Sequence, residues 1–170
     1  KYKLNSTVVK VSGGKLSILR EGVYSKDDIG RVSCLKIIFI CTGNTCRSPI
    51  AEGVCKKLLA DFFNCDIDEL ELLGYKICSS GVMAIGGLAA SAESVEVCRR
   101  KGINLSSFTS SPLDCQSLVD ADYVFTMTQG HKEMILQSCD IDSDKIQLLD
   151  PAGDIPDPIG EGLLENGNPR

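Results

Sequence analysis

The sequence predicts an α/β fold: a three-layer sandwich in which a four-stranded parallel sheet is flanked by helices, preceded by a separate N-terminal β-hairpin. Three observations carry this expectation. From residue 34 onward, apolar runs of strand length alternate with amphipathic stretches of helix length, the pattern of successive β–α units. The run Leu35-Lys36-Ile37-Ile38-Phe39-Ile40 is almost continuously apolar, as a central strand covered on both faces must be. The length of 170 residues allows one full domain of about 150 residues with a short segment to spare.

The elements follow in order. Thr7-Val8-Val9-Lys10-Val11 and Lys15-Leu16-Ser17-Ile18-Leu19-Arg20 flank Ser12-Gly13-Gly14, a hairpin signal, and Ser25 starts a short helix. The first strand of the main sheet ends at Cys41 and gives way to a tight Thr42-Gly43-Asn44-Thr45 loop. Ser48 as N-cap and Pro49 at the first helical position then open a helix that runs to about Phe63. Its apolar residues Ile50, Val54, Leu58 and Phe62, spaced four apart, define the face expected to pack on the sheet. A second strand is expected over 75–78, and a helix over 91–101 capped by Ser91 and stopped by Gly102. The basic trio at 99–101 falls in that helix's last turn, where it complements the helix dipole. A third strand over 123–127, a helix over 129–136 and a fourth strand over 146–149 complete the pattern, before a Pro/Asp/Gly loop at 150–162.

Composition narrows the chemistry. Hydrophobic residues are 43% and charged residues 24%, sufficient for a core without staples. A net charge of −5, without an extended basic run, argues against direct nucleic-acid binding or an anionic membrane surface. No stretch reaches the roughly 18 apolar residues of a membrane span, and residues 1–10 lack the apolar core of a signal peptide. The nine cysteines are scattered and odd in number, with no CxxC pair and a single His131. Neither a secreted disulfide framework nor a Cys/His metal site is expected, and the reading is a reducing cytoplasm with no metal and no cofactor.

The informative string is Cys41-Thr42-Gly43-Asn44-Thr45-Cys46-Arg47-Ser48, a Cys-x5-Arg-Ser pattern between a buried strand and a helix start. Consecutive amides around a tight loop at a helix N-terminus form a concave anion site, and the helix dipole adds positive potential. A phosphoryl group fits such a cradle, so residues 42–48 are the expected phosphate-binding set. The same field favours the thiolate of Cys41, the form in which cysteine is a nucleophile. Arg47 grips two phosphate oxygens with its planar fork. Ser48 is placed to hydrogen-bond the thiolate, and Gly43 and Asn44 tolerate left-handed backbone angles. Displacement at phosphorus also needs a proton donor on the leaving-group side. The late loop offers Asp150, Asp154 and Asp157, at the strand carboxyl ends where parallel sheets place their sites, and composition does not choose among them.

Residues 34–162 resemble the low-molecular-weight protein phosphatase family, whose loop reads CxGNxCRSP and whose late Asp-Pro supplies the general acid. The matching stretches are 41–49, Ser79-Ser80-Gly81, residues 121–128 with His131-Lys132, and Asp157-Pro158-Ile159-Gly160. The resemblance implies Cys41 as nucleophile, Arg47 as the phosphoryl-binding residue, Asp157 as acid and then base, Asp150 as the fallback acid, and a metal-free phosphocysteine intermediate. It further implies that Cys46 is able to form a reversible disulfide with Cys41 against overoxidation, with a packing role for Cys46 as the alternative, and that His131 matches a helix start without a catalytic role. Thr45 resembles the protein arginine phosphatases, whereas tyrosine-directed members commonly carry an aliphatic residue there. Met83 and Ile159 stand where tyrosine-directed members often have rings, which leaves less stacking for a phenyl phosphate.

Phosphoarginine on a protein is therefore the expected substrate, with phosphotyrosine as the alternative. Two readings compete. A thioredoxin-coupled arsenate reductase shares the loop but needs two further cysteines close together, for which Cys98 and Cys115 are 17 apart. A non-catalytic phosphoprotein-binding module does not account for both nucleophile and acid. Residues 1–33 resemble the end of YrdC-like threonylcarbamoyl-adenylate synthase domains through Asn5-Ser6-Thr7-Val8-Val9 and residues 14–22, which implies a fusion remnant and linker ahead of a phosphatase domain at 34–170. The stretch 163–170 does not read as the long amphipathic helix that ends the family, which implies exposed apolar sheet surface and low stability or association.

Overall fold

The structure, a computed structural model, describes residues 5–12 and 15–158. The hairpin turn at Gly13-Gly14, the Ile159-Gly160 pair and the expectation for 163–170 lie outside the described residues. Strands β1 (Val8–Ser12) and β2 (Lys15–Arg20) pair antiparallel as the alternation predicts. Helix α1 (Lys26–Val32) opens on a capping box: Ser25 Oγ accepts from Asp28 N, and Asp28 Oδ2 accepts from Ser25 N.

The main sheet contains β3 (Leu35–Cys41), β4 (Tyr75–Gly81), β5 (Tyr123–Thr126) and β6 (Ile146–Leu148), all parallel, in the order β4-β3-β5-β6. Strand β3 is thus first in the sheet's sequence but internal in space, with its successors on opposite sides. The strand order reverses around its carboxyl end, where an open α/β sheet leaves a crevice for ligands. Cys41 is the last residue of that strand.

The period of two along β3 separates the two faces. Ile38 and Ile40 pack with Leu118, Val124 and Ile135 against helices α4 (Cys115–Val119) and α5 (Gln129–Ser138). Ile37, Phe39 and Cys41 pack with Ala51, Cys55 and Leu59 of α2 (Arg47–Phe63). A third cluster of Cys98, Ile103 and Leu105 joins α3 (Ala92–Arg100) to the flank of α2 at Ile50 and Val54. Each fully buried Leu or Ile in these layers contributes about 1.5–3 kcal/mol.

Several boundaries differ from expectation. Helix α2 begins at Arg47 with Cys46 as N-cap, not at Pro49 with Ser48 as cap, because the Ser48 hydroxyl is engaged with Cys41 and Asn44 instead. The sheet-facing stripe of α2 is Ala51, Cys55 and Leu59, while Leu58 and Phe62 are 63% and 79% exposed. A four-residue step overshoots one helical turn by about 40°, so a strict i+4 series walks off its face after two steps. Strand β4 runs three residues past Cys78, because Ser79 and Ser80, polar in the sequence, are buried. Helix α4 was not foreseen, since five residues are too few to display a period. Cys115 and Cys139 are joined by a disulfide between the first turn of α4 and the C-cap of α5, a pair the scattered cysteine spacing did not announce. With Cys115 so bonded and Cys98 buried as a free thiol in another cluster, the 98/115 pairing weighed for arsenate reduction is not formed.

Candidate active site

The loop after β3 closes at 41–47 through Asn44, which adopts φ 53. Asn is among the few side chains that accept this left-handed region. Gly43, expected to share that role, does not take a left-handed angle. The loop carbonyls are held from outside: Cys41 O accepts from Val82 N, Thr42 O from Met83 N and Thr45 O from Ser91 N, at 2.7–3.0 Å. The N–H groups of Gly43, Asn44, Thr45 and Cys46 have no backbone partner among the described residues. The N-cap Cys46 makes no side-chain capping bond, so the first amides of α2 remain available to an anion.

Behind the loop runs a polar chain from the fully buried Asn44 to the half-exposed Lys56. Ser111 N donates to Asn44 Oδ1 at 2.7 Å, which orients the amide and leaves Nδ2 to donate to both Ser48 Oγ and Ser79 Oγ at 2.8 Å. Ser79 Oγ in turn donates to Glu52 Oε2 at 2.6 Å, and Glu52 Oε1 pairs with Lys56 Nζ at 2.6 Å. Ser48 Oγ accepts from Asn44 Nδ2 and lies 3.0 Å from Cys41 Sγ and 3.5 Å from Ser80 O; a thiolate has no proton to give, so against it the Ser48 hydroxyl is the donor. A hydroxyl held as donor beside sulfur stabilises negative charge there.

Arg47 spans the site. Nη1 donates to Ile155 O at 3.0 Å, and Nη2 pairs with Asp157 Oδ2 at 2.7 Å. Its Nε is buried without a hydrogen-bond partner among the described residues, an arrangement folded proteins avoid unless a ligand completes it. The segment carrying Asp157 is tied to the end of β5: Leu149 N donates to Thr126 O, Ile155 N to Met127 O, and Gln129 N to Asp154 Oδ1. Asp150 is engaged locally, accepting from Ala152 N. Of the three carboxylates the sequence offered, Asp157 is the one paired with Arg47. Cys41 and Cys46 are both buried free thiols.

Residue types and spacing do not single out Glu52 or Ser111 as parts of this site, nor His131, whose Nε2 lies 2.9 Å from Thr42 Oγ1, and Gly81 enters only as a motif match. Gly81 passes so close to the loop that a Cβ there would lie 2.5 Å from Thr42 O and 2.8 Å from Asn44 N. The Ser79-Ser80-Gly81 run was the one signal available for it.

The chain is similar in sequence and in fold to known phosphatases. A sequence profile described as low molecular weight phosphotyrosine protein phosphatase matches residues 36–163. The chain is 37% identical over 134 residues to a protein-arginine-phosphatase of Bacillus subtilis, covering 76% of this chain and 83% of the relative. It is 35% identical over 133 residues to the low molecular weight protein-tyrosine-phosphatase PtpB of Staphylococcus epidermidis, covering 74% and 82%. A solved arginine phosphatase with a phosphorylated active-site serine superposes with a TM-score of 0.63 at 34% identity, over 74% of this chain and 80% of that one.

Proposed function

The chain belongs to the low molecular weight phosphotyrosine protein phosphatase family, and from that premise we propose that it hydrolyses phosphoarginine on proteins through a phosphocysteine intermediate. The observation that carries the phosphoryl-transfer reading is Arg47. Its buried Nε, without a hydrogen-bond partner among the described residues, stands at the start of α2, beside a loop whose amides at 43–46 have no backbone partner among the described residues, with the Asp157 carboxylate 2.7 Å from Nη2. A tetrahedral phosphoryl group would take the loop amides, Arg47 Nε and the N-terminus of α2 as donors.

In the first half-reaction the Cys41 thiolate donates an electron pair to phosphorus, forming the S–P bond as the P–N bond to the substrate guanidine breaks. The leaving nitrogen takes the proton of the Asp157 carboxylic acid. In the second, the Asp157 carboxylate removes a proton from water, the oxygen attacks phosphorus, and the S–P bond breaks to return the thiolate. Ser48, held in place by Asn44, stabilises that leaving sulfur as a donor. Residues 42–48 cradle the phosphoryl oxygens throughout.

Thr45 and the 37% identical arginine phosphatase favour phosphoarginine, while the 35% identical tyrosine phosphatase keeps phosphotyrosine as the second reading. A phosphorylated protein is the partner in either case. Residues 1–33 we assign to the end of a YrdC-like domain, on the resemblance of 5–9 and 14–22 and on their position ahead of the profile match.

The experiment is phosphate release from phosphoarginine and phosphotyrosine peptides side by side, with the parent chain and Cys41→Ser. Release from phosphoarginine that vanishes in Cys41→Ser is expected. Preference for phosphotyrosine would overturn the substrate assignment, and release that survives Cys41→Ser would overturn the mechanism.

A further inference from the structure

One buried side chain outside the reacting groups joins the two halves of the site. His131 is 5% exposed and lies in the first turn of α5. Its Nε2 is 2.9 Å from Thr42 Oγ1, on the residue that follows the nucleophile, and its Nδ1 is 2.8 Å from Thr128 Oγ1. Thr128 is the N-cap of α5, its hydroxyl accepting from His131 N at 3.2 Å. Thr42 Oγ1 is in turn 3.5 Å from Arg47 Nη2. The start of α5 also bears the acid segment, because Gln129 N donates to Asp154. One imidazole ring therefore bridges the nucleophile loop, through Thr42, and the element on which the Asp157 segment is hung.

We propose that His131 is a positioning residue for phosphoryl transfer: it fixes Thr42, and through Thr42 the Arg47 guanidinium and the first turn of the phosphate loop. The proposal rests on the phosphatase reading above. A neutral imidazole has one donor and one acceptor, and a hydroxyl serves as either, so the two threonines satisfy the ring in either tautomer. An imidazolium would instead require both hydroxyls to accept. Burial and the Arg47 charge hold His131 below its usual basicity, against the opposing pull of Asp154 and Asp157. The bond to Thr128 concerns the cap of the helix; the bond to Thr42 concerns the loop. Donors aimed in advance at developing charge act on the transition state more than on the ground state, so a loosened Thr42 should lower kcat more than it raises KM.

The two bonds are separable by substitution. In His131→Asn the amide stands near the former Nδ1, keeping a partner for Thr128 and losing Thr42. In His131→Gln the amide reaches toward the former Nε2, keeping a partner for Thr42. Steady-state turnover of a phosphoarginine peptide and of p-nitrophenyl phosphate, with thermal melting alongside, is measured for the parent, both variants and His131→Ala. The expected result is a kcat loss of about 10–100-fold in His131→Asn with KM changed by less than about 3-fold, and recovery to within about 5-fold of the parent in His131→Gln. His131→Asn should melt at or above His131→Gln, so that rate and stability rank in opposite orders. Thr42→Val should cost at least about 3-fold less in kcat when added to His131→Asn than when made in the parent. Parent-like kcat in His131→Asn, or rates that simply follow melting temperature, would overturn the proposal while leaving the phosphatase reading in place. A parent chain inactive on both substrates would overturn both.

Discussion

Asn44→Ala is the substitution for which the structure makes the most demanding prediction. Asn44 is fully buried at φ 53 and makes three hydrogen bonds through its side chain: from Ser111 N, and to Ser48 Oγ and Ser79 Oγ. Alanine removes three neutral bonds, the one from the exposed Ser111 included, of about 0.5–1.5 kcal/mol each. It also places an ordinary L-residue in the left-handed region at about 1–2 kcal/mol. Shared partners make these contributions less than additive, so the expected loss is about 3–5 kcal/mol, a large part of the roughly 5–15 kcal/mol that holds a domain together. Urea unfolding with an unchanged m-value is the assay. Asn44→Gly, which relieves only the backbone component, should recover about 1 kcal/mol relative to alanine. Turnover should fall at least about tenfold in both, because Ser48 is no longer held as a donor to Cys41. A loss below about 1 kcal/mol in Asn44→Ala would refute the hydrogen-bond accounting, and a glycine variant no more stable than the alanine one would refute the strain component.

Gly81→Ala should destabilise by about 1–3 kcal/mol and depress turnover, because its Cβ would meet backbone atoms of the loop at 2.5 and 2.8 Å; a variant with parental kcat/KM and melting temperature would contradict this. Asp157→Asn should lower kcat about 10²–10⁴-fold, whereas Asp150→Asn should leave it near the parent value, and the reverse outcome in turnover assays would move the acid role to Asp150. Replacing Cys115 by Ser opens the loop set by a sequence separation of 24 and should cost about 3 kcal/mol on the chain-entropy account; equal urea midpoints for parent and variant under non-reducing conditions would refute it. The lowered basicity of His131 means that, as pH falls below about 6.5, the unfolded chain binds a proton that the folded chain resists. The contribution is present above that pH and lost below it, so the parent's urea midpoint should fall more steeply between pH 7 and 5 than that of His131→Gln.

Much of the fold was legible because its signals are local. The apolar run of β3, the caps at Ser25 and Ser91 and the stop at Gly102 each depend on neighbours a few residues away, and all stand where the pattern put them. The face of α2 was misread at Leu58 and Phe62 because periodicity gives an angle that accumulates error with length, while the sheet that selects the face is distant in sequence. Ser79 and Ser80 hid the end of β4, since their polarity signals a strand end unless the partners that satisfy them, Asn44 and Glu52 for Ser79, are known to be there.

The candidate site divides along the same line. Cys41, Arg47 and the loop between them are contiguous, so the chemistry of an anion cradle ending a buried strand could be read from residue types and spacing alone. Asp157 needed a resemblance to be separated from Asp150 and Asp154, because nothing local distinguishes three carboxylates in one loop. Only the tertiary structure brought Asp157 onto Arg47 across 110 positions of sequence, lined up Glu52, Ser79 and Ser111 behind Asn44, and set His131 against Thr42. The physical reason is the parallel sheet itself: each crossover returns the chain to the same edge, so residues far apart in sequence meet at the carboxyl ends of β3, β4 and β5. The Cys41 thiol and the loop that follows it are properties of one short segment. The Asp157–Arg47 pair, the hydrogen bonds of Asn44 and His131 and the close approach of Gly81 are properties of how the strands are ordered.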